Sequence, residues 1–356
     1  MHILHVVGAR PNFMKAAPVV RALKAQPDIA QTLVHTGQHY DAGMSSVFFQ
    51  QLGLPDPDVN LEVGSGSHAQ QTAEIMSRFE PAVLERKPDA VLVYGDVNST
   101  VAAALVCSKL QIRVGHVEAG LRSFDRTMPE EINRVLTDQV ADWLFTPTED
   151  ADRNLVREGI APGKIHRVGN VMIDSLARLL PLALESATNG VPSRYALVTL
   201  HRPANVDDGG ALKNILQSLL EVNAELPVVF PVHPRTRQRI SEFGLDAAQL
   251  RLLDPLPYLE FLALQSRASV VITDSGGIQE ETTYLNVPCL TLRENTERPV
   301  TVILGSNVLV GQDASKLRAE LRKILDGCAK KGSIPPLWDG HAGERIAAIL
   351  SSDKTK

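Results

Sequence analysis

The sequence has 356 residues, of which 44% are hydrophobic and 22% charged, a composition typical of a globular protein and unlike that of a disordered, collagen-like or coiled-coil chain. This length predicts about two domains. The formal net charge of −5, from 41 acidic and 36 basic residues, argues against a general nucleic-acid or anionic-membrane surface but allows a local basic pocket for a small anion.

Cysteine usage and the lack of long apolar runs predict a cytoplasmic protein. The three cysteines, Cys107, Cys289 and Cys328, are far apart and form no CxxC or zinc-type spacing, so we expect no disulfide framework. No apolar run reaches the roughly 18 residues needed to span a membrane. The first residues have the pattern of a strand, with no basic leader before an apolar stretch.

In the first half of the chain, short apolar runs alternate with amphipathic segments. The runs predict buried strands at Ile3–Val7, Thr32–Thr36, Ala90–Tyr94, Arg113–Val117 and Trp143–Thr146. The segments between them predict helices at Lys15–Ala25, His68–Arg86, Ser99–Leu110 and Glu130–Ala141. Alternation at this rhythm indicates a parallel sheet covered by helices on both faces.

The same pattern restarts after a predicted helix at Val171–Leu184 and a predicted linker at Ser186–Arg194. Strands are predicted at Ala196–Leu200, Val228–Val232, Arg251–Leu253, Val270–Thr273, Cys289–Leu292 and Val308–Val310. Helices are predicted at Asp208–Ala224, Tyr258–Ser266, Ile278–Tyr284, Ala314–Leu325 and, in the tail, Ala342–Leu350. We therefore expect an α/β protein with two Rossmann-like domains, residues 1–170 and 171–340, facing a central cleft.

Polar residues follow six of the predicted strands, where ligands of open α/β sheets bind. These strand ends are Gly8–Pro11 with Lys15 one turn later, Gly95-Asp96, Glu118–Arg122, His201-Arg202, His233–Arg235 and Asp274–Gly277. Six such ends in two facing halves indicate a polar cleft that carries both signs of charge.

The segment that begins at Asp274 has the pattern of a phosphate-binding turn. Ser275 suits a helix N-cap, and Gly276 and Gly277 let backbone N–H groups approach an anion at the helix start. Glu281 follows one helical turn later, from where its carboxylate could reach ribose hydroxyls. The alternative interpretation is a tight strand-to-helix turn with a capped helix and no ligand.

A helix terminus contributes only about 0.3–2 kcal/mol to anion binding, so a pyrophosphate needs further cations. The candidates are Arg10, Lys15, His201 and Arg202, for which surface charge or helix capping is the alternative role. No GxxxxGK[ST] motif is present, so a P-loop NTPase is not expected.

The acids Asp96, Glu118 and Glu130, together with a histidine, suggest proton transfer. Metal ligation is the competing interpretation, but no His-x-x-x-His or similar spacing supports it. Glu130 and Glu131 follow Pro129 at a helix start, where acids also serve the helix dipole, and that role is favoured for Glu131. Phe261, on a helix that begins near the cleft, is favoured as a core residue over a nucleobase contact.

Taken together, these motifs resemble those of the non-hydrolysing UDP-N-acetylglucosamine 2-epimerase family over essentially the whole chain. The residues that carry the resemblance are Gly8–Pro11 with Lys15, Gly37–His39, Gly95-Asp96, His116–Arg122, Pro129–Arg134, His201-Arg202, Val232–Pro234 and Thr273–Glu281. The resemblance implies a glycosyltransferase-B-like fold whose last helix, residues 341–352, packs back on the first domain. It also implies a homodimer that uses no metal or cofactor.

The activity implied by this resemblance is the interconversion of UDP-GlcNAc and UDP-ManNAc through elimination and re-addition of UDP. By resemblance, the positions linked to catalysis are Asp96, Glu118, Glu130 and His201. The implied UDP contacts are Arg10, His201, Ser275, Gly276, Gly277 and Glu281, with Phe261 against the uracil. Lys15, Arg122, Arg202 and His233 complete the predicted substrate-binding set.

The chain departs from the family pattern in two places. Gln38–Asp41 replaces the Gln-His-Arg stretch of allosterically regulated bacterial members, and the interval from Glu118 to Glu130 is shorter than in common bacterial enzymes. The stretches His35–Asp41, Met44–Phe49 and Arg122–Glu131 look closer to relatives that epimerise UDP-2,3-diacetamido-glucuronic acid. The residue pattern also allows a retaining glycosyltransferase, a hydrolysing epimerase or a catalytically silent nucleotide-sugar sensor.

Overall fold

The computed structural model describes residues 1–37, 49, 51–186 and 190–353, with the side chain of Arg10 left out. The chain forms two compact units, one made of Met1–Ser175 with Pro336–Lys356 and the other of Leu176–Pro335. Each unit is built on one all-parallel sheet flanked by helices. The predicted α/β class with two Rossmann-like sheets is therefore confirmed.

The first unit contains a seven-stranded sheet in the order β3-β2-β1-β4-β5-β6-β7. Its strands are β1 (His2–Val7), β2 (Ala30–His35), β3 (Val59–Asn60), β4 (Ala90–Tyr94), β5 (Arg113–Val117), β6 (Trp143–Thr146) and β7 (Ile165–Arg167). Its helices are α1 (Arg10–Lys24), α2 (His68–Arg86), α3 (Asn98–Lys109), α4 (Pro129–Val140) and α5 (Glu149–Arg157). A longer helix, α6 (Val171–Glu185), begins in this unit and ends in the second.

The second unit contains a six-stranded sheet in the order β10-β9-β8-β11-β12-β13. Its strands are β8 (Ala196–Thr199), β9 (Val228–Pro231), β10 (Arg251–Leu253), β11 (Val270–Thr273), β12 (Cys289–Thr291) and β13 (Asn307–Leu309). Its helices are α7 (Pro203–Val206), α8 (Gly209–Glu225), α9 (Pro234–Glu242), α10 (Tyr258–Arg267), α11 (Gly276–Leu285), α12 (Pro299–Ile303) and α13 (Ala314–Leu325).

The last helix, α14 (Ala342–Ser352), belongs to the first unit. The buried carboxylate of Asp174 accepts hydrogen bonds from the N–H groups of Ala342 and Gly343, at 3.1 and 2.7 Å. A Cβ at Gly343 would lie 2.7 Å from the carbonyl oxygen of Pro18 in α1. This glycine therefore permits close packing of α14 on α1.

The strands could be predicted from the sequence because both faces of each sheet are buried. All five residues of β4 are fully buried, so the strand is an uninterrupted apolar run rather than an alternating one. The predicted limits of β4, β5, β6, β10 and β11 match the structure. Helix α1 begins at Arg10, five residues before its predicted start, because Pro11 suits the first turn of a helix.

In both sheets the order of strands reverses beside the first strand of the unit, between β1 and β4 and between β8 and β11. Such switch points open a crevice at the carboxyl ends of the strands, where ligands of doubly wound folds bind. At the second switch point the hydroxyls of Thr199 and Thr273 share a hydrogen bond of 2.7 Å. The two switch points, between β1 and β4 and between β8 and β11, are therefore the candidate functional sites.

Candidate functional sites at the two switch points

In the first unit, a buried ion pair joins Lys15 of α1 to Glu118, the residue that follows β5. The two side chains are only 6% and 3% exposed. Gly95, at the end of β4, lies against both of them, because a Cβ there would come within 2.5 Å of Lys15 Nζ and 3.3 Å of Glu118 Oε2. The strand-end glycine thus makes room for a charged pair at the switch point.

Glu118 adopts a backbone conformation that a non-glycine residue rarely takes, with φ at +77°. Such a conformation costs about 1–2 kcal/mol and persists only where surrounding contacts fix it. One such contact is the hydrogen bond of 3.1 Å from its own N–H to the carbonyl oxygen of Phe145. Strain of this kind concentrates at functional sites.

Asp96 follows Gly95 and is partly buried, with its side chain 22% exposed. Its carboxylate pairs with the buried guanidinium of Arg134, and its backbone carbonyl accepts a hydrogen bond of 2.9 Å from the side chain of Asn133. Helix α4 supplies both partners. The Asp96 side chain is therefore oriented from the helix, while part of it remains open to solvent.

The helix-start acids Glu130 and Glu131 have different environments. Glu131 is 2% exposed and accepts hydrogen bonds from the N–H and hydroxyl of Ser123, at 2.9 and 2.8 Å, and from the N–H of Phe124, at 2.9 Å. It also pairs with Arg134 at 2.6 Å. Glu130 is half-buried in the same first helical turn. Glu131 is thus the structural acid of the two.

The turn that Glu131 holds presents Phe124 to solvent. This side chain is 74% exposed, and its backbone has φ at +61°. The turn lies within the stretch 122–131 that the sequence associates with substrate identity.

Arg122, a member of the predicted substrate-binding set, is held by several contacts inside the first unit. The residue is 3% exposed, and its guanidinium donates to both carboxylate oxygens of Glu158, at 2.8 and 2.6 Å. It also contacts Asp138 at 2.7 Å and the carbonyl oxygen of Leu121 at 2.7 Å. These contacts give Arg122 a structural role in the first unit, and its role in substrate binding stays a prediction.

In the second unit, the fully buried Asp274 organises the end of β8. Its carboxylate accepts from His201 Nδ1 at 2.9 Å, from the N–H of Arg202 at 2.9 Å and from the side chain of Asn205 at 3.1 Å. Burial opposes ionisation, but the hydrogen bonds and charge of His201 outweigh it and hold the pKa of Asp274 below its usual range. This acid fixes the two residues that were predicted to contact the ligand.

The His201 side chain is 40% exposed, and its ring lies 6.0 Å from that of His233. His233 is the N-cap of α9, where its Nδ1 accepts a hydrogen bond of 3.2 Å from the N–H of Arg235. Burial, with the nearby charge of His201, lowers the pKa of His233. His233 therefore caps α9, and its predicted role in substrate binding would be additional to this one.

The turn at Ser275–Gly277 opens the ten-residue helix α11 at the end of β11. Ser275 occupies the N-cap position, but its hydroxyl makes no capping hydrogen bond to α11. The predicted N-cap position of Ser275 is therefore confirmed, although its side chain does not supply a capping hydrogen bond. The N–H of Ser275 instead donates to the hydroxyl of Thr273, at 3.0 Å.

Gly276 is required by a protein contact that the sequence did not reveal. A Cβ at this position would collide with the guanidinium of Arg298 and lie 2.6 Å from Glu297 Oε1. Arg298 pairs with Glu297 and with Glu280, at 3.0 Å for the latter. The glycine thus lets the start of α11 pack directly on a buried charge cluster.

The remaining predicted residues of this unit are partly or fully buried. Glu281 is 4% exposed and accepts a hydrogen bond of 2.8 Å from the hydroxyl of Tyr258. Phe261 is partly buried and packs against an apolar cluster that includes Leu264 and Val271. Arg202 keeps 25% of its side chain exposed, 3.8 Å from Glu297.

Some predicted features fall outside the described residues. They are the side chain of Arg10, which begins α1, and residues 38–48, which include the Gln38–Asp41 stretch that departs from the family pattern. Within the described ranges no helix is both long and apolar enough to cross a membrane. The same ranges contain no group of three or more His, Cys, Asp or Glu side chains placed to hold a metal ion.

Sequence reasoning missed Arg134 and Glu297 with Arg298, and it singled out Asp274 only as a strand end. Arg134 lies three residues after Glu131, a spacing that brings two helical side chains together and was available as a signal. The pairing of Glu297 and Arg298 with the start of α11 has no such local signal.

Comparison with known proteins gives one consistent family. The family model described as UDP-N-acetylglucosamine 2-epimerase matches residues 21–351. A UDP-N-acetylglucosamine 2-epimerase of Methanocaldococcus jannaschii is 45% identical, with 99% of this chain and 100% of the relative covered. A UDP-2,3-diacetamido-2,3-dideoxy-D-glucuronate 2-epimerase of Pseudomonas aeruginosa is 46% identical, with 99% of each covered.

The structure of this chain is also similar to solved structures of the family. The crystal structure of the M. jannaschii UDP-GlcNAc 2-epimerase in complex with UDP-GlcNAc and UDP matches with a TM-score of 0.92 and 45% identity. The match covers 99% of this chain and 100% of that one.

Proposed function

The chain belongs to the UDP-N-acetylglucosamine 2-epimerase family, and on that premise we propose that it catalyses the reversible epimerisation of UDP-GlcNAc to UDP-ManNAc at C2 of the sugar. Such an enzyme is an isomerase. The observation that carries the proposal is the pair of carboxylates at adjoining strand ends, Asp96 and Glu118, each paired with a buried cation. Proton transfer at carbon needs acids and bases held in this way.

The proposed reaction proceeds by elimination and re-addition. A carboxylate removes the proton from C2, the bond between C1 and the UDP oxygen breaks, and 2-acetamidoglucal and UDP form. A carboxylic acid then returns a proton to the opposite face of C2, and the UDP oxygen bonds to C1 again. Atoms and charges balance over the cycle, so no external oxidant or reductant is consumed.

We assign proton transfer to Asp96 and Glu118 and the positioning of the sugar to Glu130. Lys15, held against Glu118, places a positive charge beside that carboxylate.

The second unit supplies the groups proposed to hold UDP. The first N–H groups of α11, at Gly276 and Gly277, suit a phosphate because they have no partner within the helix, and Ser275 at the N-cap is assigned to the same contact. His201 contributes its partly exposed ring, which Asp274 fixes through Nδ1. These donors stabilise the negative charge that grows on the departing UDP.

Further contacts are proposed for the rest of the nucleotide. Arg10, Arg202 and His233 are assigned to UDP-sugar binding, Glu281 to the ribose and Phe261 to the uracil. The hydroxyl of Tyr258 donates to Glu281 Oε1 at 2.8 Å and so orients the carboxylate that is assigned to the ribose.

Several broader properties are part of the same proposal. We propose domain limits at 1–170 and 171–340, a cytoplasmic location, a homodimer and a role in supplying sugar nucleotides for polysaccharide synthesis. Sedimentation equilibrium of the purified chain tests the homodimer, for which a single species of twice the chain mass is expected.

Proton NMR of UDP-GlcNAc with the purified protein in heavy water tests the reaction. The expected result is UDP-ManNAc, with deuterium at C2 of both sugars. Binding without exchange at C2 would indicate a sensor, and free ManNAc with UDP would indicate a hydrolysing enzyme. A product that forms only when an acceptor sugar is added would indicate a glycosyltransferase.

A second candidate substrate is the corresponding diacetamido-glucuronic acid nucleotide. The observation that favours it is the 46% identity to the P. aeruginosa UDP-2,3-diacetamido-2,3-dideoxy-D-glucuronate 2-epimerase. The two substrates differ at C3 and C6 of the sugar, while the reaction at C2 is the same. Parallel measurements of kcat/KM for both nucleotides decide between them, because the preferred substrate has the larger value.

A further inference from the structure

A fully buried histidine and aspartate lie behind the carboxylate site of the first unit. His116 is in β5 and Asp138 is in α4, and both are 0% exposed. His116 Nδ1 lies 2.6 Å from Asp138 Oδ1, and His116 Nε2 lies 2.8 Å from the carbonyl oxygen of Gly95. Both ring nitrogens therefore face oxygen atoms at hydrogen-bond distance.

Neither of those oxygens can donate a proton. A carbonyl oxygen only accepts, and an ionised carboxylate only accepts. Asp138 Oδ2 contacts Arg122 at 2.7 Å and accepts from the N–H of Gly120 at 3.1 Å. Both of these groups are donors, so Oδ2 is satisfied when Asp138 is an ionised carboxylate, whatever the state of His116.

A neutral imidazole has one N–H and one lone pair. In either neutral tautomer of His116, one ring nitrogen would direct a lone pair at an oxygen lone pair, in a place that water does not reach. An imidazolium, with two N–H groups, satisfies both contacts.

His116 and Asp138 hold peptide groups that lie next to the proposed catalytic acids. Gly95, with φ at +64°, precedes Asp96, and its N–H donates to the carbonyl oxygen of Val117 at 3.0 Å. Gly120, with φ at +81°, comes two residues after Glu118 and is held by Asp138. The pair of His116 and Asp138 thus fixes one peptide group beside each acid.

We infer that His116 is a buried imidazolium which, with Asp138, positions the turns that carry Asp96 and Glu118. This role rests on the proposed function of those two acids, and His116 itself does not contact the substrate. The left-handed backbone of Glu118 requires such a rigid surrounding, because its conformation is unfavourable in isolation. Small displacements of a catalytic group cost about 100-fold in rate.

Nitrogen-15 NMR of the full-length protein, labelled at histidine, tests the protonation state without any substrate. The expected result at neutral pH is a histidine with both ring nitrogens protonated, whose signals are lost in His116→Gln. Signals of a single-N–H tautomer for His116 would overturn the inference. Sequence-specific assignment of the histidine signals in the unmodified chain decides the matter even if the variant fails to fold.

Kinetics test the positioning role. A glutamine can donate from only one end of its amide, so we expect His116→Gln to lower kcat by about 100-fold while calorimetric UDP affinity and KM change little. Asp138→Asn, a second variant, is expected to act in the same direction. The matched control is His166→Gln on β7, a half-buried histidine that contacts Phe145 and is expected to leave kcat unchanged.

Two results distinguish a failure of the positioning role from a failure of the proposed function. Wild-type kcat in folded His116→Gln with only a lower Tm would show that the residue serves stability alone and would overturn the positioning role. An unmodified chain that exchanges no C2 proton on any candidate UDP-sugar would refute the proposed function, and the positioning role with it, while the NMR result on ring protonation would still stand.

Discussion

Arg134 donates to the carboxylate of Asp96 from a side chain that is only 3% exposed, and the same guanidinium donates to Glu131 at 2.6 Å. Through Glu131 it is connected to Ser123 and Phe124, because that acid accepts hydrogen bonds of 2.9 Å from both of their N–H groups. One buried cation therefore links the orientation of a proposed catalytic acid to the conformation of the turn before α4.

We predict that Arg134→Met lowers kcat for epimerisation by about 100-fold, because Asp96 loses the group that orients it. The free energy of unfolding is expected to fall by about 3–5 kcal/mol, since Glu131 stays buried without its cation. Arg134→Lys keeps the positive charge, so its kcat and its free energy of unfolding are expected to lie between those of the wild type and of Arg134→Met. Steady-state kinetics and urea denaturation measure both effects, and a kcat within twofold of wild type would contradict the role given to Arg134.

The control for this prediction is an ion pair on the surface. Arg153 pairs with Glu149 at 2.8 Å on α5, with both side chains more than half exposed. Arg153→Gln is expected to change the free energy of unfolding by less than about 1 kcal/mol and to leave kcat unchanged.

Glu118→Gln tests proton transfer directly. We expect the variant to lose about 10²–10⁴-fold in the rate of C2 exchange, because an amide cannot accept the proton. UDP affinity is expected to be retained, since the proposed phosphate-binding turn belongs to the other unit. Deuterium incorporation by NMR and calorimetry with UDP measure the two properties, and near-normal exchange would refute the assignment.

The sequence predicts the sheets of this fold well because their strands are buried on both faces. Ala90–Tyr94 and Val270–Thr273 are continuous apolar runs, and their predicted limits match β4 and β11. By contrast, β3 has two residues, neither of them buried, and α9 is a charged helix that begins at Pro234. Such elements depend on tertiary contacts and have no apolar pattern to reveal them.

In the candidate sites, too, some features could be predicted from the sequence and others depend on tertiary contacts. Strand-end position was enough to single out Asp96, Glu118 and His201, because topology determines where the ends of parallel strands lie. The position of a residue at a strand end could not show which basic side chain pairs with which acid. Arg122 has the same strand-end signal as Glu118, yet its partner Glu158 lies 36 residues further along the chain and holds it in the core.

Gly276→Ala tests the packing behind the proposed phosphate-binding turn. The added methyl group would collide with Arg298 and approach Glu297 at 2.6 Å, so either the start of α11 or the charge pair must move. We expect about 10-fold weaker UDP binding by calorimetry, which corresponds to about 1.4 kcal/mol. Gly163→Ala is the matched control, because a Cβ there meets nothing within 4 Å, and it is expected to bind UDP normally.

Asp174 predicts a pH dependence of stability in the first unit. Burial raises the pKa of this carboxyl to about 6, although the N–H groups of Gly343 and Ala342 oppose the shift. The folded state therefore binds a proton more tightly than the unfolded state, so this group costs stability above pH 6, and the cost shrinks as the pH falls towards 4. Lowering the pH from 7 to 5 is expected to raise its contribution by about 1 kcal/mol.

Asp174→Asn removes the titrating group. Its amide oxygen can accept from only one of the two N–H groups at the start of α14, but that loss does not vary with pH, so the pH dependence isolates the effect of the carboxyl. Urea denaturation at a series of pH values measures the difference in unfolding free energy between the two proteins. That difference is expected to favour the variant most at pH 7 and to narrow towards pH 4. A difference that is constant across this range would show that the carboxyl titrates alike in the folded and unfolded chain, and would contradict the shift attributed to its burial.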